Sequence, residues 1–278
     1  MPEDERERPA THVSTGVAPS GDAHTSTTGA DAASATDPDA TAVPTSPAEW
    51  LEVLRAGEVE IEGRLPWSSN YSFLVAVSHR ELRVRAVYKP GRGERYLWDF
   101  GGELFRREVA AYELSAAVGL DLVPETVLRS DAPLEAGSLQ RFVDADFEQH
   151  YFSLASEPTH DLRLRELAGL DLLLNNADRK GGHVLVDFDG AIWGIDNGLC
   201  FHAEPKLRTV IWDFAGEAVP DRVIEAAVQL SDGVPATVCS LINEAEVEAL
   251  RRRARALVRR PRFPAPGADH RAYPWPLV

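Results

Sequence analysis

Residues Leu172–Val186 read LLLNNADRKGGHVLV, and Ile195–Gly198 read IDNG. The first stretch passes from a leucine-rich helical pattern through a polar, glycine-containing loop into a β-branched run. Asp178 stands five residues before His183 in this loop, and Asp196 follows eighteen residues after Asp178. Two carboxylates and an imidazole therefore flank one short apolar segment, and both kinds of side chain are common metal ligands.

The segment between these two stretches predicts a β-hairpin. Val184–Phe188 and Ala191–Ile195 are apolar, strand-like runs, and Asp189-Gly190 between them is a strong turn signal. Because a hairpin returns the chain to where it started, we expect Asp178 and Asp196 to lie at the same end of the sheet.

A lysine and a glutamate earlier in the chain are expected to join these side chains. Lys89 follows three short segments rich in β-branched or aromatic residues, which are Val59–Leu65, Tyr71–Ser78 and Leu82–Tyr88. Glu108 lies on the apolar stripe of a helix predicted over 102–118. Since a buried carboxylate is costly unless it is paired, we expect Glu108 to pair with Lys89.

Lysine is rare in this chain. Only Lys89, Lys180 and Lys206 are lysines among 29 Lys and Arg residues. A lysine retained in such a chain suggests a position that requires a compact ammonium group rather than a guanidinium.

The remaining pattern predicts an α+β protein with two lobes and a cleft between them. The other expected elements are a capped helix from Ser46-Pro47 to Arg55, strands at Thr126–Arg129 and Ser138–Val143, and helices at 161–175, 221–230 and 244–258. We predict a small β-rich N-lobe at 46–143, a mainly helical C-lobe at 144–262 and an extension at 263–278. Residues 1–45 are rich in small and polar residues and are expected to be disordered.

The charge of the chain bears on its partners. The formal net charge is −15, of which −6 comes from residues 1–46, and this leaves −9 for the rest. A surface this acidic repels nucleic acid and anionic lipid, so we expect neither as a partner. The basic stretch Arg251–Arg262 is interpreted as a solvated helix face, or alternatively as a docking patch for an acidic partner.

Targeting signals and cysteines indicate the compartment. No run of about eighteen apolar residues is present, and residues 1–12 lack the apolar core of a secretion signal. Cys200 and Cys239 are too few for a disulfide scaffold and have no metal-ligand spacing. These features predict a cytoplasmic protein without stable membrane insertion.

Five positions together match the requirements of phosphoryl transfer: Lys89, Glu108, Asp178, His183 and Asp196. One carboxylate must orient the attacking hydroxyl, and other ligands must hold metal ions that bridge the phosphates of the nucleotide. A lysine held by a glutamate can bind the α- and β-phosphates. We therefore predict an ATP-dependent phosphotransferase that uses Mg²⁺ or Mn²⁺.

The run NADRKGGH at 176–183 resembles the D-R-x-x-x-N catalytic loop of the phosphoinositide 3-/4-kinase-like family, which includes bacterial members and the HipA kinases. IDNG resembles the metal motif of that family. The similarity covers about residues 59–215 and implies a two-lobed, protein-kinase-like fold. It also implies roles: phosphate binding by Lys89, support of Lys89 by Glu108, base catalysis by Asp178, metal binding by His183 and Asp196, and adenine contacts through the backbone of a hinge at Gln140–Val143, including Gln140 and Phe142.

Three departures from the family pattern change these expectations. His183 stands where the family usually has Asn, and imidazole suits Mn²⁺ better than Mg²⁺. We therefore expect a preference for Mn²⁺, and metal binding that weakens as His183 protonates below about pH 6.5, unless His183 does not bind metal at all. The phosphate loop has no glycine-rich motif; Ser68, Ser69 and Asn70 are expected to bind phosphate there, unless the segment is a plain hairpin turn. Asn197 stands where an aromatic residue is common.

Other functions stay open at this point. Residues 184–193, VLVDFDGAIW, resemble the start of haloacid-dehalogenase-type phosphatases, with Asp187 as nucleophile. A pseudokinase that binds nucleotide without turnover, or a variant that transfers adenylyl groups, also fits the motifs. As acceptor we expect a protein or a small polar molecule, because residues 197–219 contain only Lys206 and Arg208 as cations to bind a lipid head group.

Overall fold

The computed structural model describes residues 43–65, 71–94, 97–267 and 272–278, so most of the segment predicted to be disordered lies outside it. An antiparallel sheet of five strands forms the N-terminal part, in the order β1-β2-β3-β5-β4. The strands are β1 (Glu58–Arg64), β2 (Phe73–His79), β3 (Leu82–Pro90), β4 (Thr126–Arg129) and β5 (Gly137–Arg141). The predicted segments overlap all five strands, with ends that differ by at most two residues: β2 begins at Phe73 rather than Tyr71, β3 extends to Pro90 rather than Tyr88, and β5 ends at Arg141 rather than Val143.

Helix α1 (Pro47–Ala56) covers one face of this sheet. The predicted cap is present, since the Ser46 Oγ accepts a hydrogen bond from the N–H three residues further on at 3.3 Å. Val53 is fully buried among the apolar side chains of the sheet. The chain also approaches the sheet closely at Gly57, directly after α1, where a Cβ would lie 2.5 Å from the Cγ1 of Val77 in β2.

Helix α2 (Leu104–Ala117) packs against β4 and β5. The sequence predicted that it would begin at Gly102, two residues too early. Gly102 and Glu103 have φ angles of 80° and 53°, and this left-handed backbone cannot continue a right-handed helix. The later start places Glu108 in the second turn of α2.

The second part of the chain is mainly helical and has a separate apolar core. Its elements are α3 (Tyr151–Leu154), α4 (Asp161–Leu174), β6 (Val184–Val186), β7 (Ile192–Gly194), α5 (Asp221–Asp232), α6 (Ala236–Cys239) and α7 (Glu244–Arg259). The predicted α+β class with two lobes is thereby confirmed. The short α3 and α6 were not predicted, because four residues are too few to show helical periodicity.

The basic stretch of the sequence lies mostly on α7. Arg251 and Arg255 approach Glu248 to 3.8 and 3.5 Å, and Arg253 donates a hydrogen bond to the Leu173 carbonyl at 2.9 Å. These contacts support the interpretation of a helix face rather than a free basic patch. Across the described ranges, none of the helices has the length and apolar character that a membrane crossing needs.

Candidate active site

Lys89, at the end of β3, contacts two carboxylates from different parts of the chain. Its Nζ forms an ion pair with Glu108 Oε1 on α2, as the sequence predicted, and lies 2.9 Å from Asp196 Oδ1 after β7. Burial opposes the charge of Lys89, but Asp196 and Glu108 together raise its pKa above the ordinary value. The ammonium therefore stays protonated at neutral pH.

Asp196 lies between Lys89 and the imidazole of His183. Its backbone has a left-handed φ of 57°, which turns the side chain back toward both neighbours. Burial opposes ionisation of Asp196, but Lys89 and then His183 hold its pKa well below the usual range. Asp196 is thus a carboxylate whose second oxygen, Oδ2, lies 3.3 Å from His183 Nε2.

His183 presents a neutral nitrogen to this carboxylate. Its Nδ1 lies 2.9 Å from the carbonyl oxygen of Asp178 and 3.5 Å from the backbone N of Lys180, and its Nε2 faces Asp196 Oδ2. Burial lowers the pKa of His183 to about 4, and the nearby cations Arg179 and Lys180 act in the same direction. Protonation of His183 therefore falls at a lower pH than the value of about 6.5 on which the predicted pH dependence of metal binding depends.

The donor atoms fit a divalent ion that is bound together with phosphate. His183 Nε2 and Asp196 Oδ2 face each other at 3.3 Å. Among the residues that the structure describes, no group of three or more His, Cys, Asp or Glu side chains could hold a metal ion. An ion here would complete its shell with water and phosphate oxygens, as Mg²⁺ does in nucleotide sites.

Asp178 faces the same cleft from the loop after α4. Its N–H donates to the Asn176 Oδ1 at 2.9 Å, and its Oδ2 lies 3.2 Å from the Nζ of Lys180. Burial raises the pKa of Asp178 to about 6, although Lys180 opposes this rise. The carboxylate is therefore a stronger base than an exposed aspartate and is ionised at neutral pH.

One cavity joins these groups. Its described lining includes Lys89, Glu108, Asp178 and Asp196, which are four of the five predicted positions. The fifth, His183, lies outside this lining and contacts Asp196, which faces the cavity. The predicted phosphate-loop residues Ser68, Ser69 and Asn70 lie outside the described part of the chain.

The predicted hinge contacts need a correction. Gln140 pairs with Val87 of β3 and Thr126 of β4, and its side chain donates to the Thr126 Oγ1 at 2.8 Å. The Phe142 N–H donates to the carbonyl of Arg85 at 3.1 Å. The sheet thus already uses these backbone groups. The next backbone donor is Val143, whose N–H has no hydrogen-bond partner within the described residues.

Asp187 is held in the turn between β6 and β7. Its Oδ1 accepts hydrogen bonds from the N–H groups of Asp189 and Ala191, and its Oδ2 accepts one from the Trp193 Nε1 at 2.8 Å. The two strands are antiparallel, unlike the parallel sheet of the phosphatase family. Asp187 is therefore a turn-capping residue rather than a free nucleophile.

Three residues that border the predicted ones had no role predicted from sequence: Lys180, Arg179 and Asn197. The scarcity of lysine was the signal that could have identified Lys180. Arg179 is fully buried, and nothing in the local pattern distinguishes a buried arginine from the many exposed ones in this chain.

The sheet with α2, the loop that carries Asp178 and the hairpin that leads to Asp196 together define a two-lobed α+β protein. No family model matches the chain. It is 38% identical over 262 residues to Protein Rv2133c of Mycobacterium tuberculosis (strain ATCC 25618 / H37Rv), a match that covers 81% of this chain and 94% of that protein. The chain belongs to the family of this protein.

Two solved structures are similar in fold at low identity. The Helicobacter pylori proinflammatory kinase CtkA aligns with a TM-score of 0.45 and 12% identity, over 75% of this chain and 94% of CtkA. A structure of hydra Fam20 with sugar aligns with a TM-score of 0.46 and 14% identity, over 77% of this chain and 88% of that one. At these scores, the functional interpretation depends on the residues of the chain itself.

Proposed function

We propose that the chain is an ATP-dependent phosphotransferase of the phosphoinositide 3-/4-kinase-like type, related to the HipA kinases. One observation carries the proposal: the ammonium of Lys89 contacts Glu108 and Asp196 at once, in a cavity that Asp178 also lines. An ion pair with only a structural role would stabilise the fold equally well at a position that faces no cavity. A paired lysine, an ionised carboxylate and a base around one cavity are the groups that phosphoryl transfer uses.

In this proposal, Lys89 binds the α- and β-phosphates, and Glu108 fixes its position. His183 and Asp196 would hold a divalent ion, Mn²⁺ in preference to Mg²⁺, which neutralises charge on the phosphates. The adenine would meet the segment between the lobes at Val143, and Ser68, Ser69 and Asn70 are proposed as phosphate-loop residues. The N-lobe at 46–143 and the C-lobe at 144–262 would close on the nucleotide.

Asp178 is proposed to accept the proton of the acceptor hydroxyl. The hydroxyl oxygen forms a bond to the γ-phosphorus, the bond from this phosphorus to the β–γ bridging oxygen breaks, and ADP leaves. Lys180, with its Nζ 3.2 Å from Asp178 Oδ2, would face the charge that collects on the transferred group. The role follows from position, since Lys180 projects from the same loop as the base.

The acceptor is proposed to be a protein or a small polar molecule in the cytoplasm. The net charge of −15 disfavours anionic lipid surfaces. Of the two cations near the metal motif, Lys206 is paired with Asp99 at 2.8 Å, which leaves few positive charges for a phosphoinositide head group.

The test is transfer from γ-labelled ATP, with Mn²⁺ and with Mg²⁺, in the presence and absence of cell extract. We expect label on the chain itself or on an extract component, and loss of this label in Asp178→Asn. Asp187→Asn is the matched control, because it changes the same side chain in a turn and should keep activity. His183→Asn should move the metal preference toward Mg²⁺.

Three outcomes would contradict the proposal. Nucleotide binding without any transfer would indicate a pseudokinase, and labelling from α-labelled ATP would indicate adenylyl transfer. Loss of activity in Asp187→Asn with an intact Asp178→Asn would indicate the phosphatase reaction.

A further inference from the structure

Arg179 is a fully buried arginine beside the proposed base. Its guanidinium binds Asp171 of α4 through two nitrogens, with Nε 3.0 Å from Oδ2 and Nη2 3.0 Å from Oδ1. Its Nη1 donates to the Ile195 carbonyl at 2.6 Å, directly before Asp196. One side chain thus joins α4, the loop with the base and the strand that leads to the proposed metal ligand.

Asn197 continues this connection toward Lys89. Its Oδ1 accepts a hydrogen bond from the Arg179 Nη2 at 2.7 Å, and its Nδ2 donates to the Gly194 carbonyl at 3.1 Å. Its backbone N–H donates to the Glu108 Oε2 at 2.8 Å, while the other oxygen of Glu108 pairs with Lys89. Asn197 is itself fully buried, so each of these polar groups needs its partner.

We propose that Asp171, Arg179, Asn197 and Glu108 form one buried hydrogen-bonded relay that positions Lys89 and Asp196 relative to Asp178. The catalytic role of this relay depends on the proposed function, whereas its hydrogen bonds do not. Arg179 adjoins Asp178 in sequence, and Asn197 adjoins Asp196. Arg179 and Asn197 therefore fix the backbone next to two groups that are proposed to act on the nucleotide, and Glu108 contacts a third, Lys89, directly.

The relay holds the site together before any ligand binds. The side-chain amide of Asn197 fixes the segment after β7 through Arg179 and the Gly194 carbonyl, so that the Asn197 N–H donates to Glu108, and Glu108 in turn holds Lys89. A buried polar network with every member satisfied is rigid, whereas a network with one member removed leaves the others unpaired. Asn197 and Arg179 are thus positioning residues, which act through Glu108 and the backbone rather than on the substrate.

The experiment compares Asn197→Leu, which keeps the volume and removes the amide, with Ser115→Ala as control. Ser115 is buried near the C-terminal end of α2, seven residues after Glu108, and its Oγ accepts one hydrogen bond, from the Leu122 N–H at 3.0 Å, outside the relay. The readout is the rate at which an amine-acylating reagent modifies each lysine of the ligand-free, full-length chain, measured by mass spectrometry. Lys206 serves as internal reference.

We expect Asn197→Leu to raise the modification rate of Lys89 by roughly five- to tenfold relative to Lys206, the change that one lost buried hydrogen bond would give. Ser115→Ala should leave the ratio unchanged. In the transfer assay, Asn197→Leu should lower kcat by a similar factor while Ser115→Ala retains it. Asn197→Ala is the second variant, in case the leucine does not fit.

An unchanged Lys89 ratio in folded Asn197→Leu or Asn197→Ala would overturn the proposal, even if the wild type transfers phosphate. Failure of both variants to fold would also overturn it, because Asn197 would then be needed for the whole fold. A raised ratio in a chain without transfer activity would support the relay and contradict the proposed function.

Discussion

Lys89 contacts one carboxylate from each lobe, Glu108 on α2 and Asp196 after β7. Its pKa is raised by these two neighbours despite burial, whereas that of His183 is lowered to about 4 by burial. The same cleft therefore keeps a charged ammonium and a neutral imidazole at neutral pH. This difference in charge suits a site in which Lys89 binds phosphate and His183 binds metal.

Replacing Lys89 with Met tests the electrostatic role of this residue. The change leaves Glu108 buried without its cation, so we expect a loss of about 2–4 kcal/mol in the free energy of unfolding near neutral pH. The double change Lys89→Met with Glu108→Met should recover part of this loss, since the unpaired carboxylate is gone. Urea denaturation measures both, and equal stability of the single and double variants would contradict the interpretation.

Asp178 gives a prediction with a definite pH dependence. Its folded pKa of about 6 is above the unfolded value of about 3.9, so folding favours the protonated acid. The contribution of this group to stability is present below about pH 4 and is lost as the pH rises toward 6. In the absence of metal and nucleotide, Asp178→Asn should therefore be more stable than the wild type at about pH 7.5, by on the order of 1–2 kcal/mol, and close to it at about pH 4.

Thermal denaturation of the two proteins at both pH values measures this difference. A stability difference that is the same at both values would mean that the carboxylate of Asp178 is not held in the buried environment described above.

At the scale of the elements, the hairpin of β6 and β7 brings Asp196 to the loop that carries Asp178. Gly194, at the end of β7, makes the close packing possible: a Cβ there would lie 2.7 Å from Leu167 Cδ1 and 3.2 Å from the Nη2 of Arg179. The position of Asp196 therefore depends on a glycine two residues before it.

We expect Gly194→Ala to lower the free energy of unfolding by about 1–3 kcal/mol, because the core must move to admit the methyl group. Phosphate transfer should fall as well, since Arg179 would shift. Gly63→Ala in β1 is the matched control, because no heavy atom of the described residues, apart from the glycine and its chain neighbours, lies within 4 Å of a Cβ at that position. Equal effects of the two substitutions on stability and transfer would contradict this role for the hairpin.

Much of the fold at this scale could be predicted from local pattern. The strands, the Asp-Gly turn and the apolar stripe that includes Glu108 follow from periodicity and turn chemistry. The hinge contacts could not be predicted, because the register between β3 and β5 decides that the Phe142 N–H binds Arg85, and register is a tertiary property. The relay through Asn197 was missed for the same reason, since its partners come from α2 and α4.

At the scale of the whole molecule, charge limits the possible acceptors. The chain carries −15, and three arginines of α7 contact Glu248 or a backbone carbonyl: Arg251, Arg253 and Arg255. A lipid surface that contains phosphoinositides is strongly anionic, so the long-range interaction is repulsive.

We therefore expect no sedimentation of the chain with vesicles that contain phosphatidylinositol phosphates at about 150 mM salt, and none at lower salt, where repulsion is screened less. Neutral vesicles serve as control. Binding to the anionic vesicles alone, stronger at low salt, would contradict the acceptor class proposed above.

We propose above that Lys89, Asp178, His183 and Asp196 surround one metal-bound triphosphate. A crystal structure of the full chain with a non-hydrolysable ATP analogue and Mn²⁺ tests it most directly. We predict Lys89 Nζ in hydrogen-bond contact with the α- or β-phosphate, the ion on Asp196 and His183, and the γ-phosphate facing Asp178. An analogue bound elsewhere, or bound in this cleft without contact to Lys89 or Asp196, would contradict the account.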